Sequence, residues 1–221
     1  MACDSEFSFA DIDSSEVWSP AHAVRVLTQL RAEAAIEPII NNWESFDHWM
    51  TAEIENFFAE LGDIAIPPIE KYLSNKNYKV VERTNAASAL KEIALKNPEQ
   101  RELCVNIITQ HLENFAENDS TFNANLIGEL VDLEAIESAP LIEKAFAANK
   151  VDSFIVGSWE LVQIELGLKE ADESDIQDLR DDPQKLLKLL GYEVEVEKPR
   201  GFATSEYIKP NKNKKKNNKR R

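Results

Sequence analysis

Pro38, Pro68 and Pro98 stand thirty residues apart, and that interval constrains the fold more than any other feature of the chain. The first two lie in related strings, AAIEPII and DIAIPPI, and EAIESAPLI sets Pro140 in similar company after a longer insertion. Ahead of each runs an apolar stretch of helical period, giving LTQLRAEAAIEPII, FAELGDIAIPPIEKYL and IGELVDLEAIESAPLIEKAF. The repeating unit is a helix, a tight turn and a second helix that opens near a proline. One such hairpin cannot bury its apolar face alone, so neighbours must stack to make a continuous core.

The periodicity predicts helices over 19–32, 35–43, 46–61, 65–74, 79–96, 98–115, 120–132, 135–148 and 153–166. Several boundaries have a chemical cause. Ser19-Pro20 reads as an N-cap followed by a proline whose missing N–H would be unpaired there anyway. Gly62 offers the left-handed residue that ends a helix, and Gly167 does the same later. Asn97-Pro98-Glu99-Gln100 reads as a cap, an N1 proline and an acidic first turn, and Asp152 as the cap of the helix holding Phe154, Ile155, Trp159 and Val162. With six glycines and mostly single prolines, short turns between helices suit the composition better than an all-β domain.

Arg83-Thr84-Asn85-Ala86-Ala87-Ser88-Ala89-Leu90, Leu61-Gly62-Asp63 and Ile66-Pro67-Pro68-Ile69 together resemble the short HEAT-like repeats named after phycobilisome lyases. The resemblance covers residues 20 to 168. It implies an all-α fold: an α-solenoid of four to five antiparallel helix hairpins, HEAT- or armadillo-like, with a C-terminal capping helix and a disordered basic tail. The sequence departs from the pattern where Leu95-Lys96-Asn97-Pro98 replaces the turn, and where Val131-Asp132 stands for Gly-Asp in the fourth unit.

The chain divides into four segments. Residues 1–17 form an acidic, serine-rich stretch expected to be poorly ordered. Residues 18–168 form the repeat domain. Residues 169–197 hold an acidic linker and the capping helix, opened by Asp182-Pro183, carrying Leu186, Leu187, Leu189 and Leu190, and stopped at Gly191; Tyr192 to Glu197 alternates as a short strand would. Residues 198–221 form a linker and the basic tail.

The whole chain has a net charge of −15, yet residues 209–221 hold eight lysines or arginines and no acid. Residues 1–208 therefore carry 17 basic against 40 acidic side chains, a charge of −23. An acidic body favours a partner with a basic surface and disfavours direct DNA binding. The tail, with Lys214, Lys215, Lys216, Lys219, Arg220 and Arg221, suits phosphate backbones without base readout, hence RNA or a ribosome, or else folds back loosely on the acidic body. No signal-peptide pattern or long apolar run is present, so a cytoplasmic location without a membrane span is expected.

Candidate chemistry is sparse. His22, His48 and His111 stand in no ligand spacing, and Cys3 and Cys104 match no pairing or metal pattern. Asp11 to Ser15 looks like a calcium loop but has Glu16 where glycine is needed and His22 where the closing glutamate belongs. Asn118-Asp119-Ser120 fits a glycosylation sequon. Cys104 sits on an apolar helix side, where an inert buried thiol is expected. The most interesting cluster is Trp43, Asp47, His48 and Trp49: it reads as an interaction or pocket group, or as a helix start capped by Ser45 or Asp47 and covered by aromatics. No catalytic residue, metal or cofactor is assigned.

The leading expectation is a non-catalytic protein-interaction scaffold. The resemblance also implies an alternative, a phycobilin lyase-like or chaperone-like protein acting on phycobiliproteins. A third reading is an RNA- or ribosome-associated factor working through the tail.

Overall fold

The computed structural model describes residues 2–4, 11, 13–46 and 50–171, all within one unit spanning 1–175. The expected capping helix, the Tyr192–Glu197 strand and the basic tail lie outside the described residues. Among those described, the regular structure is helical: α1 (Ser19–Gln29), α2 (Ile36–Asn41), α3 (Thr51–Leu61), α4 (Ile66–Ser74), α5 (Val80–Lys96), α6 (Arg101–Leu112), α7 (Ser120–Asp132), α8 (Ala139–Ala147), α9 (Ser153–Val156) and α10 (Trp159–Glu165). Short 3-10 turns precede or join them at Ser15–Trp18, Glu33–Ala35, Trp43–Ser45, Gly62–Ala65, Pro98–Gln100 and Ile136–Ser138.

The helices pack in an alternating order. Helix α1 packs on α3, α3 on α5, α5 on α7 and α7 on α9, while α2 packs on α4 and α4 on α6. The two series are joined where α5 meets both α4 and α6, and where α6 meets α7. Small residues on α5 allow this, since Ala86, Ala87, Ala89 and Ala94 are all buried and let neighbouring backbones approach. Between the series lies one hydrophobic cluster, with Ile54, Phe57 and Phe58 from α3, Ile69 and Leu73 from α4, Leu90 and Ile93 from α5, and Phe122, Leu126 and Leu130 from α7. Truncating one of these large side chains to alanine removes ~2–5 kcal/mol of stability, because the cavity closes only in part.

Several predicted boundaries are corrected. Ser19 is not a cap: a 3-10 turn runs directly into α1, Trp18 holds the cap position and Pro20 lies in the first turn. Within the stretch predicted as one helix over 46–61, α3 runs Thr51–Leu61, and Ser45 donates to Asn42 O instead of capping a helix. Asn97 turns its amide sideways to Ala59 O and Ile93 O rather than capping the Pro98–Gln100 turn. The predicted helix 153–166 is two. Gly157, at φ +82, ends α9, and Ser158 starts α10 by accepting from the Leu161 N–H. Asp152 does cap α9, accepting from the Phe154 N–H at 3.1 Å.

The turns between helices show which residues take the left-handed backbone where the sequence lacks Gly-Asp. Gly62 sits at φ +70 and Gly167 at φ +71, as their placement suggests. In the fourth unit the left-handed residue is Glu134, at φ +52, two positions beyond Val131-Asp132. Arg31 and Asn149 play the same part after α1 and α8. In each case the next amide reaches back across the helix end: Ala32 N to Leu27 O, Ala135 N to Leu130 O and Lys150 N to Ala145 O.

Candidate functional site

Trp43 lies beyond the end of α2 and is buried at 4% exposure. Its ring lies 5.2 Å from Phe58 and 5.3 Å from Tyr72, and Tyr72 stacks on Tyr78 at 4.0 Å. This aromatic run joins the segment after α2 to α3, α4 and the α4–α5 loop. The indole N–H of Trp43 and the hydroxyl of Tyr72 have no hydrogen-bond partner among the described residues. Burial, with Glu82, Tyr78 and Glu44 nearby, pushes the Tyr72 phenol well above its usual range, so it stays protonated. Beside it a shallow cleft of about 110 Å³ is lined by Glu37, Asn41, Lys71, Asn75 and Tyr78 among others. Trp43 is thus a core anchor packed against Tyr72, which with Tyr78 lines the cleft. Asp47, His48 and Trp49 lie outside the described residues, as do Lys214, Lys215, Lys216, Lys219, Arg220 and Arg221.

A second group comes from the α3, α5 and α7 series. Lys91 on α5 lies 3.3 Å from Glu129 on α7, 3.1 Å from Glu92 and 3.6 Å from Asp132. The side chains of Lys91 and Glu129 are both largely buried. Desolvation pushes the Glu129 carboxyl up to about 7, with Lys91 opposing and Asp132 adding to the rise. Burial pulls Lys91 down, but Glu129, Glu92 and Asp132 outweigh it and hold the ammonium above its usual range. Glu55 on α3 is raised as well, by burial first, with Ser88 and Lys91 pulling the other way. The members of this group are distant in the chain, which hides it from a reading of the sequence. The one local signal is Glu129, a lone charge in the otherwise apolar run Leu126 to Val131.

Polar side chains tie off the ends of the hairpins. On the loop side, Asn123 is fully buried; it donates to Phe115 O at 2.9 Å and Lys150 O at 2.8 Å, and accepts from Asn118 at 3.0 Å. Asn118 also donates to His111 O, so the sequon nitrogen is engaged inside the fold. Arg83 donates to Leu73 O at 2.7 Å and lies 4.1 Å over the Phe122 ring. On the turn side, Arg31 pairs with Glu60, and Lys96 reaches the same carboxylate. Arg101 donates to Leu133 O and Glu134 O and pairs with Glu137 at 3.0 Å. Asp63 accepts from the Ile64 N–H in its own turn, and Asp132 faces Lys91.

For bond-making chemistry these groups offer little. Burial pushes the Cys104 thiol up to about 11, which keeps it protonated and unreactive. His111 is half-buried and lies 3.4 Å from Ser74 Oγ; burial and then the charges of Arg83 and Lys76 pull its pKa down. Among the described residues no group of three or more His, Cys, Asp or Glu side chains is placed to hold a metal ion. Nor is any helix among them long and apolar enough to cross a membrane.

The described residues are all-helical in their regular structure, helix packed on helix, with polar side chains that mostly serve their own turns. Over residues 9–198 the sequence matches the family described as "Protein of unknown function (DUF1186)". That span takes in most of the 221 residues, and the chain belongs to this family. Neither the curated proteins nor the solved structures give a match.

Proposed function

We propose that the chain is a non-catalytic protein-interaction scaffold built as a short HEAT-like α-solenoid, and that it grips a partner with a basic surface. One observation carries the reading: α1, α3, α5, α7 and α9 pack in succession, and α2 packs on α4 and α4 on α6, an order that fits stacked hairpins presenting equivalent positions on one surface. Such repetition multiplies weak contacts along an extended face. The charge of residues 1–208 selects the sign of the surface that binds there and raises the rate at which a cationic partner arrives.

The test is affinity capture with the full-length chain and with a version ending at Lys209. The scaffold reading expects both baits to recover the same basic proteins, released as salt rises. Recovery of RNA and ribosomal material by the full-length bait alone would move the function to the tail. Recovery of nothing reproducible by either bait would remove the scaffold reading.

A further inference from the structure

One edge of the odd-helix series presents an apolar row. Leu30 caps α1, Ile64 lies in the turn after α3, Leu95 in the last turn of α5 and Ile136 in the turn after α7. They are 70%, 39%, 54% and 50% exposed. Single exposed apolar residues are ordinary; one at the same end of four successive packed helices is not a scatter. The lateral bonds already described hold these ends together, because Arg31 and Lys96 meet at Glu60, Asn97 reaches Ala59 O, and Arg101 reaches Leu133 O.

Spacing gives the shape of a ligand that would fit. Packed helices lie ~8–10 Å apart, so the row offers one apolar side chain at about that interval. An α-helix returns a side chain to the same face every seven residues, or ~10.5 Å. Four positions at that interval span ~30 Å, the length of a helix of about 20 residues.

Charge gives its sign. Each cation of the edge is engaged within the fold: Arg31 and Lys96 at Glu60, Arg101 at Glu137 and two carbonyls. Asp63, Glu99 and Glu134 are exposed in these turns and Glu102 at the start of α6, and none has an ion-pair partner among the described residues.

We propose that this edge docks a cationic amphipathic α-helix of another protein. Its apolar stripe, in heptad register, lies on Leu30, Ile64, Leu95 and Ile136, and its lysines or arginines face Asp63, Glu99, Glu102 and Glu134. The inference rests on the scaffold reading and names both the edge that binds and the chemistry of its ligand.

The test is fluorescence anisotropy of a labelled helical peptide of about 20 residues, with a leucine stripe and lysines on its flanks, titrated with the full-length chain. A second peptide has the same composition, scrambled so that the leucines ring the helix. The expected result is saturable binding of the first peptide, at least about tenfold weaker binding of the second, and a similar loss for the double variant Ile64→Asp, Ile136→Asp. Both sites are partly exposed, so thermal melts of the double variant verify that the fold persists. Equal binding of the two peptides, unchanged binding by the double variant, or no binding at 100 micromolar, roughly −5.5 kcal/mol, would each overturn the proposal. If any of these occurs while both capture baits recover the same salt-released basic proteins, the scaffold reading stands and only the edge is lost.

Discussion

The two ends of the hairpins use the same kinds of residue to different effect. At the loop end, Asn123 and Arg83 turn inward and satisfy main-chain carbonyls, with Arg83 lying over Phe122, while Val81 and Phe154 stay exposed there without a matching residue on each successive helix. At the turn end, Asn97 and Arg101 hold carbonyls in the same way, yet Ile64, Leu95 and Ile136 point outward beside exposed acids. Buried polar anchors mark one end, and one exposed apolar residue on each of four successive odd helices marks the other. Substitutions at the loop end should therefore damage folding, and those at the turn end should damage recognition while sparing the fold.

The largest effect is expected at Asn123. Alanine there removes two donated bonds and leaves Phe115 O, Lys150 O and the Asn118 amide short of partners in a buried place. Urea unfolding should show a loss of ~3 kcal/mol; a loss below ~1 kcal/mol would break the comparison. Arg83→Met keeps most of the bulk over Phe122 but abandons Leu73 O, and a smaller loss of ~2 kcal/mol is expected in the same assay.

The Lys91 group sharpens the comparison through pH. The folded chain holds the Glu129 proton more tightly than the unfolded chain does, since the carboxyl is raised to about 7. Its stabilising contribution is therefore present below the ordinary glutamate pKa and lost as pH rises through about 7. Glu55, raised in the same direction, adds to this, while Lys91 limits it. Unfolding free energy should be ~1 kcal/mol lower at pH 8 than at pH 6, and Glu129→Gln should flatten that slope. An unchanged slope in the variant would assign the pH dependence elsewhere. The smallest stability effect is expected at the turn edge, where Ile64→Asp with Ile136→Asp should shift unfolding by no more than ~0.5 kcal/mol per site.

How much of this could be read from the sequence depends on the range of the interaction responsible. Gly62, Gly167 and the Asp152 cap act within a turn or two, and their residue types announce them. Glu134 gives no such signal. Its left-handed backbone opposes the side chain's preference by ~1–2 kcal/mol, and it is held by Arg101, thirty-three residues away. Gly157 breaks the final helix because its backbone turns left-handed, a choice that the apolar periodicity of Phe154, Ile155, Trp159 and Val162 conceals. The thirty-residue repeat, by contrast, pointed to helices packed on helices, which the fold shows. Of the candidate site, Trp43 was visible as a large aromatic residue among apolar neighbours. Lys91 and Glu129 meet only because α5 packs on α7.

Hydrogen exchange read by mass spectrometry, on the full-length chain alone and with the cationic amphipathic peptide, tests the central claim most directly. Docking at the turn edge predicts slower exchange in residues 30–35, 62–65, 95–100 and 133–138, with the loops at 75–79 and 113–119 unchanged. Slowing confined to those loops, or to α2, α4 and α6 without the turns, would contradict it.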